Sequence, residues 1–264
     1  MYEFNYHNPS TTAQAAAAID GAQDGIYLAG GQTMLPTMKQ HLASPSDLVD
    51  LGGIEELNGI SVSGNTLTIG AMTTHAGVAG SAYVRGAIAA LADLADNIGD
   101  AQVRNRGTIG GSIANNDPAA DYPAACLALA ATIITNKGRY AADDFFTGMF
   151  ETALSPGEII VSVSFPVAEC AAYEKFPNPA SRYALVGVFV AKTGAGARVA
   201  VTGAGPGVFR VGEYETALSG DFSAGALDGV ALAARDLNSD IHAGADYRAH
   251  LIGVMAARAV AACA

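Results

Sequence analysis

Two glycine pairs constrain this sequence more than any other feature: Ala29-Gly30-Gly31-Gln32-Thr33 and Thr108-Ile109-Gly110-Gly111-Ser112. Each sits among hydroxyl or amide side chains. The first follows Ile26-Tyr27-Leu28, which reads as a short buried strand, and precedes Met34–Gln40, which reads as a helical turn or short helix. Adjacent glycines let backbone N–H groups approach a ligand with no Cβ in the way, and a concavity lined by N–H groups holds anions such as phosphate. Gln32 and Thr33 add neutral groups that orient a pyrophosphate without a counter-charge. One such pair between a strand and a helix is more often a tight turn. Two of the same design point to a pair of loops clasping the two phosphates of one dinucleotide.

Near the second pair, Arg104 and Arg106 stand out in a chain with only 14 Lys and Arg residues. They read either as ion-pairing residues or as direct ligand contacts. Asp117 before Pro118 fits a helix N-cap followed by proline at the first helical position. Asp121, one turn further, carries no such obligation and is the better candidate for a polar contact such as a ribose hydroxyl. A third cluster, Gly203-Ala204-Gly205-Pro206-Gly207, lacks the helix and the later acidic residue of a dinucleotide fingerprint, and Val208–Val211 alternates like a strand, so it reads as a turn or bulge. The five histidines are scattered without metal-site spacing, and His75 reads as a satisfied structural residue. No serine lies in a G-x-S-x-G elbow, so acyl transfer has no support.

Half of the 264 residues are apolar and 15% charged, enough for a large buried core. A net charge of −11 argues against nucleic acid or an anionic membrane as partner. The first twelve residues lack the basic and apolar regions of a signal peptide, and no apolar run reaches the ~20 residues a membrane span needs. Cys126, Cys170 and Cys263 are too few and too far apart for a cluster or zinc site, and fit a reducing cytoplasm better than a disulfide scaffold.

Thr11 and Gln14 have capping-box spacing and predict a helix over Thr12–Asp20. Ile60–Val62 and Leu67–Ile69 alternate on either side of Gly64-Asn65, which predicts a type II′ hairpin. Helical spacing of Ile88, Leu91, Ala95 and Ile98 predicts a helix over Val84–Ile98. An apolar helix (Ala119–Ala130) and strands at Thr132–Thr135 and Ile159–Phe165 follow. Pro166, Pro177 and Pro179 mark a linker or domain boundary. Beyond it, Ala184–Ala191 and Arg198–Thr202 read as antiparallel strands joined through Gly194-Ala195-Gly196, and Ala224–Asn238 and Asp246–Ala262 as helices. Without regular βαβ alternation the expected class is α+β.

Three blocks then carry a family likeness: Ala29–Pro36 with Met38-Lys39; Ile98-Gly99-Asp100-Ala101-Gln102-Val103-Arg104-Asn105-Arg106-Gly107 running into Thr108–Ser112; and Asp117-Pro118-Ala119-Ala120-Asp121. In order, spacing and length the chain resembles the FAD-binding subunits of the carbon monoxide dehydrogenase and xanthine dehydrogenase superfamily. The resemblance implies a vanillyl-alcohol-oxidase-type FAD domain over residues 1–167, of two subdomains (about 1–56 and 57–167), and a smaller C-terminal α+β domain over 168–264. It implies that Leu28, Ala29, Gly30, Gly31, Gln32, Thr33 and Met34, with Thr108, Ile109, Gly110, Gly111 and Ser112, wrap the FAD pyrophosphate. Asp121 is implied at the ribose or adjoining phosphate region, Ile98, Ala101 and Ile160 along the site, and Lys175 and Tyr183 near the flavin ring. Partners implied are a small subunit with two [2Fe–2S] clusters and a large molybdopterin subunit, in a dimer of heterotrimers. Substrate is then oxidised on the large subunit, and FAD relays electrons to an external acceptor. No residue of this chain is expected to act as a general base, since the redox chemistry belongs to the cofactor.

Overall fold

A computed structural model gives the fold of residues 1–263. The βαβ alternation not expected from the sequence is present in its first fifty residues. Strand β1 (Asn5–His7), helix α1 (Thr12–Asp20), β2 (Gly25–Leu28), α2 (Met34–Lys39) and β3 (Asp47–Asp50) form a sheet of order β1-β3-β2 with both pairings parallel. The polar residues that hide β1 and β3 from a hydropathy reading bond to one another across the sheet. Asp47 accepts from the Asn5 amide at 3.1 Å and lies 2.8 Å from the His7 ring. Helix α1 has the expected bounds, capped by the Thr11 hydroxyl on the Gln14 N–H.

The second sheet opens with the predicted hairpin, β4 (Ile60–Ser63) and β5 (Thr66–Gly70), in which Gly64 takes φ +56°. Six short helices follow: α3 (His75–Gly80), α4 (Ala82–Ala87), α5 (Ala89–Asp96), α6 (Ala101–Arg106), α7 (Ile109–Asn115) and α8 (Tyr122–Ala128). The single helix expected over Val84–Ile98 is therefore two. Ile88 leaves helical backbone (φ −144°, ψ 82°) and buries its side chain in the core. The second glycine pair is also not a loop, because Gly110 and Gly111 lie inside α7. Asp117 caps no helix: its Oδ1 accepts the Ala119 N–H in a local turn, and α8 begins four residues beyond the expected first helical position, with Asp121 at its cap position. Every residue of α8 is buried, so this helix is apolar all round and lies within the core. Then come β6 (Thr132–Thr135), β7 (Arg139–Ala141), α9 (Ala142–Phe145), the small pair β8 (Phe146–Gly148) and β9 (Glu151–Thr152), and β10 (Ile160–Pro166). The sheet order is β4-β5-β10-β6-β7, antiparallel throughout.

The third sheet, β11 (Cys170–Pro177), β12 (Ala184–Thr193), β13 (Gly196–Thr202) and β14 (Phe209–Arg210), is antiparallel in sequence order. Val186, Val188 and Val190 of β12 pack on one side with α10 (Gly212–Gly220) and α11 (Ala245–Ala262). Phe189 and Ala191 point to the other side and share an apolar cluster with α8. Strand β12 is buried from Ala184 to Ala191 for that reason: both faces of its sheet are covered. The helix expected at Ala224–Asn238 is only two 3₁₀ turns, Ala224–Leu227 and Ala234–Asp236. Cys170, at the start of β11, is bonded to Cys263, just past α11, with Cα atoms 5.6 Å apart; a separation of 93 residues concealed that pairing from sequence. Mixed parallel and antiparallel sheets with helices between them make the chain α+β, as expected.

Candidate functional site

The two glycine segments meet. Gly30 lies so close to the backbone after α6 that an added Cβ would stand 2.0 Å from the Arg106 carbonyl oxygen and 2.8 Å from the Gly107 Cα. A Cβ on Gly111 would touch that of Ala29 at 3.3 Å. Beside this seam is a cavity of about 510 Å³. Fifteen of the eighteen expected site residues line it: Leu28 to Met34, Ile98, Thr108, Gly110 to Ser112, Asp121, Ile160 and Tyr183.

Three do not. Ile109 is wholly buried, its side chain taken by the main core. Ala101 opens α6 at an exposed position, beside a separate surface hollow shared with Arg104 and Asp96. Lys175 is turned into the protein, where its Nζ donates to the Asp121 carboxylate at 3.0 Å and to the Asn97 carbonyl at 3.1 Å. Arg104 also takes the ion-pairing alternative: it lies 3.6 Å from Asp96 and donates to the Ile98 carbonyl.

The glycine segments differ in what they offer. The N–H groups of Gly30, Gly31, Gln32 and Thr33 donate to no protein acceptor among the described residues, and Gly31 takes φ +73°. Successive free N–H groups at a left-handed turn form an anion nest. In the second segment the N–H groups are already used. Ile109 donates to Thr73 O, Gly110 to Ala71 O, Gly111 to the Thr108 hydroxyl and Ser112 to Thr108 O. It presents instead a wall without side chains, which closes on Ala71, and the hydroxyl of Ser112. Asn115, one turn on in α7, lines the same cavity. The sequence reading missed Asn115 because it took the glycines for a loop. Seen as a helix N-terminus, Ser112 and Asn115 share a face through their i, i+3 spacing.

Asp121 has the structural obligation it was expected to lack. It is 5% exposed, and besides Lys175 it accepts a hydrogen bond from the Tyr173 hydroxyl. Burial pushes its carboxyl above the ordinary carboxylate range, and Lys175 and Tyr173 oppose that push. His75, also on the cavity wall, is not a satisfied histidine. It is 5% exposed and its Nδ1 has no partner among the described residues, nor does the hydroxyl of Tyr122, whose ring lies 5.4 Å away. Burial, reinforced by Arg104, lowers its pKa to about 4, so its imidazole is neutral at physiological pH.

Residues 2–168 match the model of the FAD binding domain in molybdopterin dehydrogenase. The chain is 35% identical to the carbon monoxide dehydrogenase medium chain of Hydrogenophaga pseudoflava, over 97% of this chain and 96% of that one. It is 32% identical to the nicotine 6-hydroxylase medium subunit of Paenarthrobacter nicotinovorans, over 97% and 95%. Its fold superposes on reconstituted CO dehydrogenase from Oligotropha carboxidovorans with a TM-score of 0.91, at 34% identity, over 99% of this chain and 98% of that one. The chain belongs to the FAD-binding subunits of the molybdenum hydroxylases. It is a flavoprotein component of an oxidoreductase, and its cofactor is FAD.

The cavity of this FAD-binding subunit suits that group. Four unspent N–H groups fit a diphosphate without a cation beside it. Ile26, Leu28, Leu51, Leu154 and Ile160 supply an apolar lining of the kind a flat ring system needs. Among the described residues no helix is long and apolar enough to cross a membrane.

Proposed function

We propose that this chain receives electrons from an iron–sulfur subunit and passes them through its FAD to an external acceptor, while substrate is oxidised on a molybdopterin-bearing partner. The observation that carries this reading is the nest at Gly30–Thr33 facing the bare wall of α7 across one cavity, in a chain whose relatives are medium subunits throughout their length. Oxidation and reduction are supplied by the flavin. This chain's residues bind it, orient it and exclude water from it.

The proposed contacts are specific. The backbone of Leu28 to Met34 holds the diphosphate, and Thr108 to Ser112 closes over it. Asp121 meets the ribose or adjoining phosphate region. Lys175 acts through Asp121, fixing that carboxylate in place. Ile98 and Ile160 pack along the cofactor, and Tyr183 borders its ring. The proposed units are residues 1–167 for FAD and 168–264 as a cover over it. The proposed assembly is a dimer of heterotrimers in the cytoplasm, where the Cys170–Cys263 bond would follow the local thiol poise.

Rapid mixing of the reduced iron–sulfur partner with the FAD-loaded chain tests the reading. Bleaching of the flavin absorbance, followed by its return on adding acceptor, is expected. The isolated chain should not oxidise a substrate of the intact assembly. Turnover by the isolated chain alone would sink the proposal.

A further inference from the structure

We propose that Arg182 is a potential-setting residue: its guanidinium holds the negative charge that the flavin ring gains on reduction, and so favours the reduced cofactor. Four charged residues line the cavity: Asp117, Asp121, Glu158 and Arg182. The three acids are engaged within the protein. Asp121 pairs with Lys175, Glu158 accepts from Thr135, Tyr140 and the Ser155 N–H, and Asp117 accepts from the Ala119 N–H. Arg182 is the one cation on the wall, and its side chain pairs with no acid among the described residues.

Its position is built. Arg182 sits on the turn between β11 and β12, closed by Asn178 N–H to Tyr183 O at 2.7 Å and Arg182 N–H to Asn178 O at 2.9 Å. The Asn178 side chain, 8% exposed, accepts from the N–H groups of Ala180 and Ser181. Arg182 itself takes φ +62°, left-handed backbone that an arginine seldom adopts. Strain of that sort survives where its surroundings enforce it, and such places concentrate at functional sites. The same turn carries Tyr183, whose hydroxyl lies within electrostatic range of Asp117 and Asp121. The turn therefore brings a cation to a wall that is otherwise acidic.

Two electrons and one proton entering the neutral oxidised ring leave one net negative charge on it. The electrons come from the reduced iron–sulfur partner in the assembly, or from an electrode through dye mediators in a measurement. No bond to Arg182 forms or breaks. Arg182 is exposed, so its guanidinium acts on that charge from the open rim of the cavity, where the two still attract at close approach even in water.

This inference rests on the reading of Tyr183 as the ring's neighbour, and three variants of the full FAD-loaded chain separate the two claims. Arg182→Gln keeps the backbone demand and removes the charge. Spectroelectrochemistry should show its reduced-to-oxidised ratio about tenfold lower at a fixed applied potential, a shift of about 30 mV for a two-electron couple. Arg182→Lys should restore most of the difference. Tyr183→Ala should shift the visible flavin band. An unchanged band would overturn the ring placement. A shifted band with an Arg182→Gln potential equal to that of the unaltered chain would overturn the role of Arg182 alone.

Discussion

His75 shows how a single residue is set by its surroundings. Its main-chain N–H donates to the Gly107 carbonyl at 2.9 Å, and its ring fills the space over Gly107, where a Cβ would meet Nε2 at 2.6 Å. The folded pKa of about 4 lies below the ordinary histidine value of about 6.5. Above the unfolded value both states are neutral and His75 contributes no pH dependence. As pH falls below it, the unfolded chain takes up the proton first, and the folded state loses up to about 3 kcal/mol by the time pH reaches the folded value. Urea unfolding at a series of pH values should therefore show a loss of stability across that window. Most of His75's share of it should vanish in His75→Gln, and equal pH slopes in the two proteins would contradict this account.

At the scale of elements, the site is a seam between the turn before α2 and the N-terminal end of α7. Thr74 and Thr108 form a short antiparallel bridge, and each caps the helix that follows it. Helices α3 and α7 thus start from one joint, and the Gly30 turn packs against the residues just before it. Gly30→Ala would drive a methyl into the Arg106 backbone, which has no rotamer by which to retreat. The expected cost exceeds the 1–3 kcal/mol of ordinary overpacking, with FAD retention at least about tenfold weaker. Gly86→Ala is the control. Nothing lies within 4 Å of its added Cβ, so this helical position should gain up to about 1 kcal/mol and keep its flavin. Thermal melts and flavin content after gel filtration distinguish the two.

For the whole molecule, the third sheet is a cover joined to the rest by both polar and apolar contacts. Thr202 donates to the Pro118 and Ala120 carbonyls, Arg198 donates to Leu127 O and pairs with Asp143, and Lys175 reaches Asp121 and Asn97. The same sheet also contributes Phe189, Ala191 and Ala200 to the main core. Among these links the Lys175–Asp121 pair is the deeply buried ionic one, its side chains 7% and 5% exposed. Lys175→Met leaves the Asp121 carboxylate in the core without its cation, which costs about 3–5 kcal/mol. Lys175→Met with Asp121→Asn should recover most of that loss. Denaturant unfolding of the two variants checks the coupling, and a double variant no more stable than the single one would refute it.

What the sequence by itself determined is local. The Thr11 cap, the Gly64-Asn65 turn, the β6 strand and the long C-terminal helix depend on neighbouring residues and appear with nearly the expected bounds. The two glycine segments also marked eleven cavity residues, Leu28 to Met34, Thr108 and Gly110 to Ser112, because a bare backbone at a ligand site leaves its trace in residue type. Tertiary structure decided the rest. Polar β1 and β3 became strands only by pairing with β2 or each other, and Ile88 broke a helix to reach the core. Whether a given N–H is free or spent depends on residues far along the chain, such as Thr73 and Ala71 for the second glycine pair. So does the fate of Asp121, turned from an expected free ligand into half of a buried ion pair by a lysine 54 residues away. Burial and long-range pairing set hydrogen-bond supply and charge, and neither is a property of a short stretch of sequence.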